Sequence, residues 1–156
     1  MSSPNRRAAR LVDRRRVPRG GRRQTDRSGR HPNVLVADSY EGARVPCVRY
    51  LQHLGFHVDQ AADGEQALAL IRDTPPHLIM AEQRLPKMPA WRLKQRLAQH
   101  ERTQHIPIIV TVSDFNLAGA DRESQGMASV LVKPFQLAAM ISEVRRVLRR
   151  GNRVIG

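Results

Sequence analysis

From residue 33 onward, apolar positions along the chain switch between two periods. Four short runs are nearly continuous in apolar residues: Asn33-Val34-Leu35-Val36-Ala37, His77-Leu78-Ile79-Met80-Ala81, Ile106-Pro107-Ile108-Ile109-Val110-Thr111-Val112 and Ser129-Val130-Leu131-Val132. Runs of this length, apolar on both faces, read as buried parallel strands. Phe56 to Ala61 alternates and reads as a fifth strand. Helical spacing fills the gaps. Val45, Val48, Leu51 and Leu54 form one stripe, and Ala67, Leu68, Leu70 and Ile71 a second. A third helix is predicted from about Ala90 to Gln99, burying Trp91, Leu93 or the stem of Lys94, and Leu97. A segment from about Leu117 to Gln125 is poorly patterned and contains Gly119, and the last helix is amphipathic through Leu137, Met140, Ile141, Val144, Val147 and Leu148. Five strand–helix alternations predict an α/β domain built on a five-stranded, parallel, doubly wound sheet.

Punctuation between the elements supports this division. Pro46 lacks an N–H, so the first helix is predicted to start near Arg44 or Val45 with the proline in its first turn, and to end at Gly55. Asp63-Gly64 makes a turn with an N-cap, and Thr74-Pro75-Pro76 stops the second helix.

Three of the strands end abruptly in polar residues. The first delivers Asp38, the third Glu82 and the fifth Lys133-Pro134. Open α/β sheets place their ligand sites at the carboxyl ends of strands, so two carboxylates and an ammonium are expected at one edge.

In the order and spacing of these residues, the stretch from about 31 to 150 resembles the receiver domains of two-component response regulators. The matching frame is Val34-Leu35-Val36-Ala37-Asp38, Ala62-Asp63-Gly64, Leu85-Pro86 and Val132-Lys133-Pro134-Phe135. The resemblance implies the flavodoxin-like receiver fold. In an active receiver an acidic pair and an Asp after the third strand bind magnesium, and that Asp accepts a phosphoryl group from a histidine kinase. A hydroxyl residue after the fourth strand and a Lys after the fifth contact the phosphoryl group, and an aromatic residue on the fifth strand follows the change. Carried onto this chain, the acidic pair becomes Asp38 and Ser39, and the phosphoacceptor becomes Glu82. The phosphoryl contacts become Val112, Lys133 and Pro134, and the switch aromatic becomes Val130.

The departures have physical consequences. Magnesium wants near-octahedral oxygen ligation, so Ser39 in place of an acid leaves Asp38 and Glu82 as a weak metal site at most. Glu82 carries its carboxylate one methylene further than Asp, which displaces an in-line attack geometry. Val112 offers no hydroxyl and Val130 no ring. Thr111 supplies a hydroxyl only after a one-residue slip, and strand alternation then points it to the other face. Glu82 is instead expected to pair with Lys133, either as a plain ion pair replacing the metal site or as a lock on one receiver conformation.

Charge and composition add a second region. The net charge of +13 is concentrated in residues 1 to 30, which hold 11 Arg against Asp13 and Asp26. This Arg-, Ser-, Gly- and Pro-rich stretch lacks periodic apolar positions, so residues 1 to 31 are read as a disordered tail. Such a tail either keeps the protein in solution or attracts nucleic acid or another polyanion by counterion release. No aromatic residue precedes Tyr40, so any nucleic-acid contact there is sequence-blind. Cys47 is alone, and the six histidines show no zinc spacing. No apolar run is long enough to span a membrane, and a cytoplasmic location is expected.

The sequence therefore predicts a tail at 1–31, a receiver-like domain at 32–150 and a short C-terminal tail at 151–156. The expected function is a phosphorylation-independent pseudo-receiver, not an enzyme, that works as a protein-interaction module in phosphorelay signalling with a kinase or effector as partner. The alternatives are a receiver still phosphorylated with Mg2+ by a histidine kinase, and a polyanion-binding protein that uses its tail.

Overall fold

The structure is a computed structural model of the 156-residue chain and describes residues 31–113 and 126–155, with the side chains of 152–155 left aside. The chain divides into two units, Met1–Pro32 and Asn33–Gly156. The Arg-rich stretch at 1–30 and the segment predicted at about 117–125 lie outside the described residues.

The described elements of Asn33–Gly156 follow the predicted order: β1 (Asn33–Ala37), α1 (Glu41–His53), β2 (His57–Ala61), α2 (Gly64–Asp73), β3 (Leu78–Glu82), α3 (Ala90–Leu97), β4 (Ile108–Ser113), β5 (Ser129–Lys133) and α4 (Leu137–Ile155). The five strands form one parallel sheet in the order β2-β1-β3-β4-β5. This is the doubly wound sheet that the alternation predicts, and its strand order reverses at β1 and β3.

Strand alternation sorts the core into two clusters. Leu35, Ala37, Ile79, Ala81, Ile108, Val110 and Val112 face Ala67 and Ile71 of α2 and Leu93 and Leu97 of α3. Val34, Val36, Met80, Ile109 and Leu131 face Cys47, Val48 and Leu51 of α1 and Met140, Val144 and Val147 of α4. A strand with helices on both faces buries both sets of side chains, which is why its sequence reads as an unbroken apolar run.

The helices depart from expectation in three places. First, α1 begins at Glu41, so Pro46 lies inside the helix instead of in its first turn. The earlier start is set by the preceding loop. Asp38 Oδ1 accepts the Tyr40 N–H at 2.9 Å, and the Arg44 guanidinium donates to the Asp38 carbonyl at 2.8 Å and to Gln60 Oε1 at 2.8 Å. These bonds favour the earlier start and oppose the cost of the lost N–H and the ring clash of an interior proline. Second, Trp91 is 40% exposed, because the buried stripe of α3 runs through Leu93 and Leu97. Third, α4 continues to Ile155, through residues that the sequence assigned to a short tail.

Other boundaries follow their local chemistry. Asp63 caps α2 by accepting the Gln66 N–H at 2.8 Å, and Gly55 beyond α1 takes a φ of 100° that a side chain would resist. The turn at Gly64 has a tertiary reason as well. Its N–H donates to the Pro86 carbonyl at 2.9 Å, and a Cβ there would collide with the Met88 carbonyl oxygen and side chain. Lys87, at a φ of 69°, bends the β3–α3 loop so that this close approach occurs.

Candidate functional site

At the carboxyl edge of the sheet the structure brings Asp38, Ser39, Glu82 and Lys133 together. β1 and β3 are neighbours in register, Ala37 opposite Ala81, so the residues just past them meet. Ser39 donates both its backbone N–H and its hydroxyl to Glu82 Oε1, each at 2.9 Å. The Lys133 ammonium lies 2.6 Å from Asp38 Oδ2. The Lys133–Pro134 peptide is cis.

The expected Glu82–Lys133 ion pair is therefore not the one formed. Asp38 is 6% exposed and takes the ammonium, while Glu82 turns to Ser39 at the more open rim. Burial decides the choice. A desolvated carboxylate needs a counter-charge more than one that shares its solvation with water and two hydrogen-bond donors. Ser39, which breaks the acidic pair, supplies those donors.

The remaining site positions separate by face. Val112 is 1% exposed and packs in the α2–α3 cluster, away from the Asp38–Lys133 pair. Thr111 and Ser113, on the opposite face of β4, line the same cavity as Asp38 and Lys133. Val130 is 41% exposed on β5, and Pro134 is exposed at the end of that strand.

A divalent cation fits this donor set poorly. Both Asp38 oxygens are engaged, one by the Tyr40 N–H and one by Lys133, and one oxygen of Glu82 accepts twice from Ser39. Magnesium requires several free oxygens in octahedral array. Among the described residues no group of three or more His, Cys, Asp or Glu side chains is arranged to hold a metal.

Sequence reasoning missed two contributors, Arg44 and the cavity-facing role of Thr111. Arg44 sits in what reads as an ordinary amphipathic helix, and nothing in its spacing announces the bond to Asp38. For Thr111 there is a signal, since it is the polar residue inside the otherwise apolar run from Ile108 to Val112. Cys47 lines the same cavity, and its thiol is pushed up to about 11, by burial first and by the Asp38 charge second. Its burial is the state expected of a lone cysteine. Among the described residues no helix is long and apolar enough to cross a membrane.

A parallel doubly wound sheet with carboxylates after β1 and β3 and Lys-Pro after β5 defines the class of signalling receivers. Residues 34–145 match the response regulator receiver domain, and the chain belongs to that family. It is 33% identical over 127 residues to the DNA-binding dual master transcriptional regulator RpaA of Synechocystis, a match covering 79% of this chain and 52% of that protein. It is 28% identical over 116 residues to the probable chemotaxis protein CheY of Rhizobium etli, covering 73% of this chain and 90% of that one. The chain spans about half the length of the first of these and of several other curated relatives. Its fold is similar to that of the chemotaxis response regulator CheY4 of Vibrio cholerae, with a TM-score of 0.69 at 24% identity, covering 75% of this chain and 98% of that one. The domain is thus a response regulator receiver domain of two-component signalling.

Proposed function

We propose that this receiver is a pseudo-receiver, a phosphorylation-independent protein-interaction module of a cytoplasmic phosphorelay, acting by binding and not by catalysis. One observation carries the reading: the groups that would handle a phosphoryl group are already engaged with one another, Lys133 on Asp38 at 2.6 Å and Glu82 on Ser39 at 2.9 Å. Incoming phosphate would have to break a buried ion pair and replace two hydrogen bonds. It would find no hydroxyl at Val112 and no ring at Val130 to pass the event on.

The partner is a signalling protein with an acidic surface. Arg145, Arg149 and Arg150 are exposed along α4, beside the half-buried Arg146. Such a stripe favours an acidic face and speeds encounter with it.

The test is an amide NMR titration with magnesium and then beryllofluoride, a phosphoryl mimic. The expected result is no specific shift at Asp38, Ser39, Glu82 or Lys133. Shifts clustered on those residues and spreading to Val130 would establish a live phosphorylation site and overturn the reading.

A further inference from the structure

A cavity of about 230 Å³ lies at the other edge of the sheet, where α2 and α3 end and their connections lead into the amino ends of β3 and β4. Leu68 and Leu97, both buried, give it an apolar floor. Its basic lining comes from two sources: Arg72 and Arg96 in the last turns of the two helices, and His100 and Arg102 in the α3–β4 connection. None of the residues of the carboxyl-edge site lines it.

These arginines are not neutralised by the protein itself. Arg72, Arg96 and Arg102 have no carboxylate partner among the described residues, and the carboxylates nearest in sequence, Asp73 and Glu101, do not line the cavity. Helix dipoles account for a cation in each last turn, but not for Arg102, which the connection brings to the same place. That connection is built to hold it there. Thr103 is 6% exposed and its hydroxyl donates to the Leu97 carbonyl at 2.7 Å, while the Thr103 and Gln104 N–H groups donate to the His100 carbonyl at 3.1 and 2.9 Å. The first of these bonds also occupies a carbonyl at the end of α3 that would otherwise repel an anion.

A cleft lined by one sign of charge over a low-dielectric floor concentrates counter-ions. Size and charge narrow the anion. Drug-sized sites span roughly 300–1,000 Å³, so a cavity of about 230 Å³ suits a small anion and not a nucleotide. A phosphodiester in a nucleic-acid strand brings one negative charge, whereas a terminal phosphate brings about 1.5–2 and three strong acceptor oxygens, which match the forked donors of guanidinium groups.

We propose that this cavity binds a small phosphate anion of the inorganic pyrophosphate class, held by Arg72, Arg96 and Arg102 with His100 as a further N–H donor. The bound anion ties the end of α2 to the α3–β4 connection. The site goes beyond the interaction-module reading and does not depend on whether Glu82 accepts phosphate.

The test titrates inorganic pyrophosphate into the full chain at about 0.15 M salt, which screens exposed charges, and follows the amide NMR spectrum. The expected result is saturable shifts focused on Leu97, Arg102 and Thr103, with Asp38 and Lys133 unmoved. Read at Thr103, Arg96→Gln and Arg102→Gln each weaken binding at least about fivefold, the loss of a solvent-screened, charge-assisted hydrogen bond. Arg49→Gln removes the same charge from an exposed position of α1, on the other face of the sheet, and leaves the affinity unchanged. The proposal is overturned by the absence of saturable shifts at Thr103, by an equal loss in Arg49→Gln, or by unchanged affinity in either folded cavity variant. A short DNA duplex that moves Thr103 and displaces pyrophosphate would overturn it in favour of a nucleic-acid contact. Should circular dichroism show that Arg96→Gln is unfolded, Arg102→Gln, at an exposed position of the connection, decides alone.

Discussion

Lys133→Met isolates the interaction on which the site rests. The substitution keeps an aliphatic chain of similar length and removes the ammonium, leaving Asp38 with a side chain 8% exposed and no counter-charge at 2.6 Å. Breaking a buried ion pair by removing one partner costs about 3–5 kcal/mol. Two features lower that figure here. The Lys133 side chain is 26% exposed, so water already screens the pair, and Asp38 keeps the Tyr40 N–H at 2.9 Å. The expected loss is about 2–3 kcal/mol, since a half-screened pair lies below the fully buried range. In urea, with a slope of about 1–3 kcal/mol per molar for a domain of this size, the midpoint falls by about 1–2 M. Asp38→Asn together with Lys133→Met removes both charges and is expected to be more stable than Lys133→Met alone, with a coupling energy of at least about 1 kcal/mol in the double-mutant cycle. A loss for Lys133→Met below about 0.5 kcal/mol, the ordinary surface range, would refute the reasoning, as would strict additivity of the two substitutions.

Two further outcomes follow from contacts elsewhere. Gly64→Ala, whose new methyl would meet the Met88 carbonyl, is expected to destabilise by about 1–3 kcal/mol, the usual cost of overpacking, and a thermal melt equal to wild type would count against that close approach. Glu143 accepts from Arg146 at 2.7 Å and from Ser129 Oγ at 2.6 Å, bonds that hold its carboxyl below the usual glutamate range. A depressed carboxylate contributes stability that is complete above the unfolded value and is lost as pH falls through the folded one. Arg146→Gln is therefore expected to lower stability at about pH 7 and to flatten its fall toward about pH 3.5, and parallel acid limbs for the two proteins would reject the linkage.

The strand ends were legible because burial on both sheet faces writes itself as an apolar run, and each run stops where the chain reaches the site. That logic brings Asp38, Glu82 and Lys133 to one edge before any coordinates are known. The pairing among them was not legible. Lys133 had two carboxylates within reach, and the choice turned on which was the more deeply desolvated. Pro46 misled for a related reason: local propensity argues against a helix around proline, whereas the bonds from Asp38 and Arg44 reward one. Trp91 is large enough to suggest burial, yet the stripe through Leu93 and Leu97 points it outward. The site positions Val112 and Val130 come from the receiver resemblance, and the face opposite Val112 carries Thr111 and Ser113, which line the cavity.

The Asp38–Lys133 pair joins residues 95 apart in sequence, whereas β1 and β2 pair across little more than one helix and its turns. Loop closure makes such a distant contact slow to gain from, so it is expected to form on the late side of the folding barrier. An interaction absent from the transition state acts on the escape rate and leaves the folding rate nearly untouched. The ion pair then works as a latch on kinetic lifetime: in a chevron plot its loss steepens no folding delay but raises the unfolding limb, and the domain opens sooner without forming any more slowly.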